Sequence, residues 1–242
     1  MNINYVKSFT VAVALTISMS NVLNANELAS IPEKTQATQQ PSLEAKNILM
    51  AKLANLEHFS ANFNQEVFSE SGDLLEQSSG KLAISKPNLA NWHTTSPDEL
   101  AIVSDGHDVW FYNPWIEQVS VYSLTAAIAK TPMLLLTSKD ETLWQEYTVT
   151  KNMVTETNRD TDKVADSFVI SAKDVNSQIK SLTLIFDSGK ENGQLKQFSF
   201  LDATGQLSHI KLADFDDKNR PEKSLFNFVL PEGVQIDDQR AN

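Results

Sequence analysis

Residues that could carry acid–base or metal chemistry are few and widely separated in this chain. The sequence has no Cys, and its four imidazoles lack the spacing of a metal site: His58, His93, His107 and His209. Asp214, Asp216 and Asp217 crowd the end of one predicted strand, without the other loop ligands or the glycine of a calcium site. Local catalytic and phosphate-binding motifs are also missing. We expect no metal, no cofactor and no enzyme activity, although a triad assembled from distant positions stays open.

Apolar side chains remain to carry a function. Residues 133–136 read MLLL, and four consecutive large apolar residues in a helix must be covered on nearly every side. They form either ordinary core or the wall of an apolar binding site. Aromatic residues of the predicted strands offer further wall candidates, namely Phe63, Trp92, Trp110, Tyr112 and Trp115. Such side chains suit a ligand without polar groups.

The composition limits the class of protein. Among 242 residues there are 31 Asp and Glu against 20 Lys and Arg, which gives a formal net charge of -11. This charge opposes binding to nucleic acid and to anionic membrane surfaces. The hydrophobic fraction of 41% is sufficient for a buried core.

The first 25 residues have the plan of a secretory signal peptide. Lys7 precedes an apolar run over residues 9–17, and small and polar residues follow. The run is too short for a transmembrane helix, which needs roughly 20 apolar residues. We expect cleavage near Ala25, a flexible tether over residues 26–41, and one domain over residues 42–242.

Periodicity predicts a mainly β domain of the α+β class. Apolar residues at steps of three and four after Ser42 predict an amphipathic helix, and the period becomes two from Phe59. Short strands separated by turn residues then continue, including separate strands over 74–77 and 80–85. Some ten to twelve antiparallel strands are too many for a flat sheet, so we expect a curved sheet or barrel. Residues 124–136, divided by Pro132, predict two short helices lying across its concave face.

Several strings in order resemble the outer-membrane lipoprotein carrier (LolA) family over about residues 42–240. They are SANFNQ (60–65), KPNLANW (86–92), IVSDG (102–106), VWFYNPWIEQ (109–118), TPMLLL (131–136) and FVLPEGVQIDDQR (228–240). The resemblance implies an unclosed half-barrel capped by a lid of short α-helices over a hydrophobic cavity. It implies a periplasmic carrier that binds acylated outer-membrane lipoproteins released by an inner-membrane ABC-type complex and delivers them to an outer-membrane receptor.

The expected site consists of residues that line the cavity. On the strands these are Phe63, Trp92, Trp110 and Tyr112, and on the lid Ile48, Leu49, Leu53, Met133, Leu134 and Leu135. Period two separates the two faces of each strand, but it does not tell which face is the inner one.

Two positions depart from the family pattern. The family usually has Arg where this chain has Lys86, and that residue is implied to hold the lid shut through carbonyls of the lid helices. Ala90 replaces a Phe of a related sequence. Lysine keeps the charge but loses the five-donor fork, so we hypothesise that this lid opens more easily.

Two other functions compete with that of a carrier. A sensory or regulatory domain on the same half-barrel is the alternative, and such regulators carry an additional domain. A periplasmic lipid hydrolase would need an assembled nucleophile and base. We expect a monomeric carrier with no nucleic-acid partner.

Overall fold

The computed structural model describes residues 42–128, 131–140, 142–158, 161–187 and 193–240. The predicted signal peptide and tether lie outside these residues. Within the described ranges, none of the helices has the length and apolar character needed to span a membrane.

Helix α1 (Ser42–Asn55) opens the described chain, as its apolar period predicts. Ala45, Leu49 and Leu53 recur at every fourth position, and all three side chains are buried. Leu43 and Asn47 point to solvent. The helix therefore buries one stripe against the rest of the domain.

Twelve strands of the described residues form one sheet. They are β1 (His58–Phe68), β2 (Leu74–Ser85), β3 (Leu89–Ser96), β4 (Leu100–Asp105), β5 (Asp108–Asn113), β6 (Gln118–Ser123), β7 (Tyr147–Asn158), β8 (Thr161–Ala172), β9 (Ile179–Asp187), β10 (Leu195–Asp202), β11 (Leu207–Asp216) and β12 (Gln235–Asp238). Their order is β12-β6-β5-β4-β3-β2-β1-β11-β10-β9-β8-β7, so β12 and β7 are the edges and the sheet is unclosed. The predicted mainly β half-barrel is confirmed.

Alternation along the strands creates an apolar inner face. In β1, Phe59, Ala61 and Phe63 are buried, whereas Asn62 and Asn64 are exposed. The same inner face carries Leu82, Ile84, Phe168, Ile170, Leu182, Leu184 and Phe198, which belong to one continuous hydrophobic cluster. One face of the sheet is therefore apolar across most of its width.

Short helical segments cover this inner face together with α1. Helix α2 (Leu124–Ile128) is followed by two 3-10 helices, Pro132–Leu136 and Leu143–Glu146. The split near Pro132 agrees with the prediction, and the second segment adopts a 3-10 rather than an α-helical form. We call α1, α2 and these two 3-10 helices the lid.

A C-terminal segment, residues 217–240, runs over the outer face of the sheet. Its 3-10 helix Lys223–Phe226 packs against β3 and β4, and β12 then pairs with β6. The Phe228 ring stacks on Trp110 at 5.3 Å between centroids and meets Tyr112 edge-on at 5.8 Å. The outer face of these strands is therefore covered by the chain itself.

This packing corrects the predicted orientation of β5. Val109 and Phe111 belong to the inner cluster, so Trp110 and Tyr112 point outward to Phe228. The expectation that these two aromatic residues line the interior is wrong. Both faces of β5 carry large apolar residues, because one face meets the core and the other meets the C-terminal segment.

Two further differences concern strand limits and direction. Strand β2 is continuous over the predicted break, because Ser78 and Ser79 keep their pairing with β1. A Cβ at Gly80 would lie 2.0 Å from the carbonyl oxygen of His93, so glycine permits the close approach of β3 there. The pair β12–β6 is parallel, whereas the sequence predicted antiparallel strands throughout.

We expect Phe226→Ala to lower the free energy of unfolding by about 3 kcal/mol, because this buried ring fixes the C-terminal segment to the sheet. Urea denaturation followed by tryptophan fluorescence measures the loss. Leu225→Ala is the matched control, since the neighbouring side chain is 45% exposed, and should cost less than about 1 kcal/mol. Equal losses would contradict this role for Phe226.

Candidate functional site

Aromatic rings from both halves of the sheet pack together beneath the lid. Phe63 of β1 and Trp92 of β3 pack with their ring centroids 3.9 Å apart. Trp92 also meets Phe198 of β10 edge-on at 6.2 Å. A further edge-on pair, Phe168 with Phe186 at 5.9 Å, lies on β8 and β9. The curvature of the sheet therefore brings distant strands around one apolar interior.

The lid closes this interior with aliphatic side chains. Leu134, Leu135 and Leu136 are almost completely buried, as is Met133. From α1, Leu49 and Leu53 are buried in the same cluster, and Ile48 packs against it while partly exposed. Eight of the ten predicted lining residues thus come together: Phe63, Trp92, Ile48, Leu49, Leu53, Met133, Leu134 and Leu135.

Sequence reasoning missed the half of the interior formed by β8, β9 and β10. Phe168, Phe186 and Phe198 are among the largest fully buried side chains, and so is Trp144 of the lid. Phe168 and Ile170 are two residues apart, as are Leu182, Leu184 and Phe186. This period of two predicts an apolar face on each strand. The strings that resemble the family lie mainly in the first half of the domain and do not include these strands.

Lys86 is a buried charged residue at a junction between the sheet and the lid. It follows β2 directly, is only 8% exposed, and its Nζ donates a hydrogen bond to the carbonyl oxygen of Leu53 in the last turn of α1. Its backbone N–H donates to the carbonyl of Glu57 at 2.8 Å. One residue therefore joins the sheet to the end of α1 through both side chain and backbone.

Asn88, two residues further, makes the corresponding link to the other part of the lid. Its backbone N–H donates to the carbonyl of Thr137 at 3.0 Å, at the end of the Pro132–Leu136 helix. The carbonyl of Asn88 in turn accepts from the Ser104 hydroxyl at 2.6 Å, which fixes the turn to β4. Residues 86–88 therefore hold two lid segments at one point of the sheet.

Burial changes the electrostatics of this point. The removal of Lys86 from water lowers the pKa of its ammonium to about 8, although the negative charge of Glu57 opposes this effect. The pKa of Glu57 is itself lowered, chiefly because Lys139 Nζ donates to its carboxylate at 3.0 Å. The carboxylate of Glu57 thus interacts with the amines of both Lys86 and Lys139.

The chemistry of the interior is that of a hydrophobic binding surface. Among the described residues, no three His, Cys, Asp or Glu side chains are grouped so that they could hold a metal ion. The one buried carboxylate of the described core, Asp202, accepts hydrogen bonds from the backbone of Thr204 and Gln206 and so closes a turn. The arrangement can shield apolar groups from water.

The family model for the outer membrane lipoprotein carrier protein LolA matches residues 54–229. The chain belongs to the LolA family. A relative from Aeromonas salmonicida (strain A449), named outer-membrane lipoprotein carrier protein, is 37% identical over 206 residues, which cover 84% of this chain and 94% of the relative. A relative of the same name from Aliivibrio fischeri (strain MJ11) is 39% identical over 182 residues, which cover 75% of this chain and 84% of the relative.

Solved structures resemble the fold at lower identity. An uncharacterized conserved protein from Thermus thermophilus superposes with a TM-score of 0.50 at 15% identity, covering 81% of this chain and 99% of the other. A LolA superfamily protein from Nitrosomonas europaea has a TM-score of 0.43 at 14% identity, and the match covers 76% of this chain and 97% of the other. The assignment to the LolA family depends on the sequence matches, and the Thermus structure agrees with the fold.

We expect the stability of the protein to rise between about pH 8 and pH 10.5 because of Lys86. In this window the unfolded chain still holds the proton that the folded protein has lost, so higher pH favours the folded state. The contribution is on the order of 3 kcal/mol. Lys86→Arg should remove it, because a guanidinium keeps its proton throughout the window.

Urea denaturation of both proteins at several pH values measures the difference. Tyr147, whose pKa burial raises, titrates equally in the two proteins, so its effect cancels in the comparison. Parallel pH profiles for the original protein and Lys86→Arg would contradict the assignment.

Proposed function

We propose that this chain is a periplasmic carrier that binds the acyl chains of lipoproteins between its lid and its sheet. The observation that carries the proposal is the continuous apolar interior under short helical segments, which polar links fasten to the sheet. Membership of the LolA family and relatives named outer-membrane lipoprotein carrier protein support it. It acts by binding and shielding its cargo.

Physical chemistry explains the need for such a carrier. A buried methylene contributes roughly 0.8 kcal/mol, so one 16-carbon acyl chain contributes about 12 kcal/mol of transfer free energy. Three such chains on one protein cannot cross water unshielded. The Phe63, Trp92 and Leu134 side chains supply an apolar surface to replace the lost membrane contact.

The finer parts of the proposal concern export and partners. Residues 1–25 act as a signal peptide, residues 26–41 as a tether, and residues 42–242 as the carrier domain. The carrier receives lipoproteins from an inner-membrane ABC-type release complex and passes them to an outer-membrane receptor. It works as a monomer, and its net charge of -11 limits its binding to anionic lipid.

Native mass spectrometry of the mature chain mixed with a triacylated lipoprotein tests the function. We expect a one-to-one complex, and no complex with the same lipoprotein made without acyl chains, because the interior offers apolar contacts. Ile48→Asn should weaken the complex, since Ile48 packs against the interior. Trp115→Asn is the control, because this side chain is 74% exposed. Failure to bind the acylated form would favour the regulatory alternative.

Lys86 is proposed as the latch of the lid. Its bond to the Leu53 carbonyl holds α1, and an arginine at this position would offer more donors to the same turn. We therefore expect Lys86→Arg to release bound lipoprotein several-fold more slowly and to bind less of a fluorescent hydrophobic dye. Unchanged release and unchanged dye binding would together rule out this role.

A further inference from the structure

Helix α1 has another charged link, which is independent of Lys86. Lys52 Nζ lies 3.3 Å from Asp166 Oδ2 of β8, and Lys151 Nζ of β7 lies 3.0 Å from the other oxygen of the same carboxylate. The side chains of Lys52 and Asp166 are 11% and 16% exposed, so the pair is shielded far better than a surface ion pair. We call Lys52, Asp166 and Lys151 the charge trio.

The charge trio faces the apolar interior rather than the outer surface. Asp166 lies on the same face of β8 as Phe168 and Ile170, and Lys151 lies on the same face of β7 as Val149. These three apolar residues belong to the inner cluster. The two ammonium groups lie over rings of the same face, Lys52 at 5.5 Å from the Phe186 centroid and Lys151 at 5.8 Å from that of Phe168. Charges are costly on such a face unless they are paired.

The last turn of α1 consequently crosses the inner face of the sheet between β8 and the end of β2. Lys52 reaches β8, while the carbonyl of the next residue, Leu53, accepts the bond from Lys86 at the end of β2. Strands β2 and β8 are separated in the sheet by β1, β11, β10 and β9. The same turn is thus held from two distant parts of the sheet.

Apolar surface continues on the far side of the charge trio. Met153 and Val164 follow Lys151 and Asp166 on the same face by alternation, and they are 68% and 39% exposed. The row on β7 and β8 therefore runs from buried aromatic rings, through the charge trio, to exposed apolar side chains. A hydrocarbon chain that enters the interior at this edge must pass the charge trio.

We propose that the charge trio is a second fastening of α1 and controls the entry of acyl chains between α1 and the β7–β8 edge. This inference rests on the proposed function for the identity of the cargo. Separation of Lys52 from Asp166 frees α1 at this edge, while Lys151 stays with Asp166 and keeps its carboxylate paired on the apolar face. Opening therefore leaves no unpaired carboxylate beside the cargo.

Lys52→Met and Lys151→Met form a matched pair of test variants. Each removes one partner of Asp166 and keeps a long apolar side chain, but only Lys52 belongs to α1. Amide hydrogen exchange of residues 43–55 in the empty protein measures opening of the helix. We expect exchange about fivefold faster in Lys52→Met, and unchanged or slower exchange in Lys151→Met, which leaves Asp166 to Lys52 alone.

The second measurement is the rate at which each variant takes up a triacylated lipoprotein. Faster uptake by Lys52→Met than by Lys151→Met supports the proposal. Equal exchange of α1 in the two variants overturns it, as does faster exchange with unchanged uptake. If neither the original protein nor either variant binds the lipoprotein, the proposed function fails instead. The exchange data then still decide whether the charge trio fastens α1.

Discussion

An apolar face on an open sheet has to be kept from water, and most of this structure follows from that requirement. Closed barrels hide such a face within their own strands, whereas here β7 and β12 remain as edges. The cover comes instead from α1 and three short helical segments. Such segments have few internal hydrogen bonds, so their position depends on contacts with the sheet.

Several polar links of the lid share a chemical type, since in each a backbone carbonyl of the lid accepts the hydrogen bond. Leu53 accepts from Lys86, Thr137 from Asn88, and Trp144 from Lys46 at 2.5 Å, the last of these within the lid itself. Each link contributes little compared with the apolar area that it holds in place. The links therefore set the position of the cover, while the burial of its apolar side chains supplies most of the free energy that holds it against the sheet.

The sequence allowed a good prediction of the elements and a partial prediction of the site. The steps of three and four between Ala45, Ile48, Leu49 and Leu53 predicted α1, and its buried stripe is the predicted one. The orientation of β5 was not predictable, because Trp110, Phe111 and Tyr112 are all large and aromatic and both faces of the strand are covered. Phe228, which decides the orientation, is far away in the sequence.

The charge trio could not be predicted for a related reason. Lys52, Lys151 and Asp166 come from three elements, and each alone is typical of a solvated surface residue. Only the register of β7 with β8 and the docking of α1 place them on the apolar face. Long-range pairing of this kind leaves no local pattern in a single sequence.

The position of β1 in the sheet has a kinetic consequence. β1 lies between β2 and β11, and Asn62 donates a hydrogen bond at 2.7 Å to Asp214, 152 residues away along the chain. The centre of the sheet thus forms only after a very long loop has closed, which makes folding slow compared with that of a helical protein. Until then the strands on either side are two separate meanders with unpaired edges and bare apolar faces. The nascent protein therefore has the same hazard that its fold later removes, namely apolar surface in contact with water.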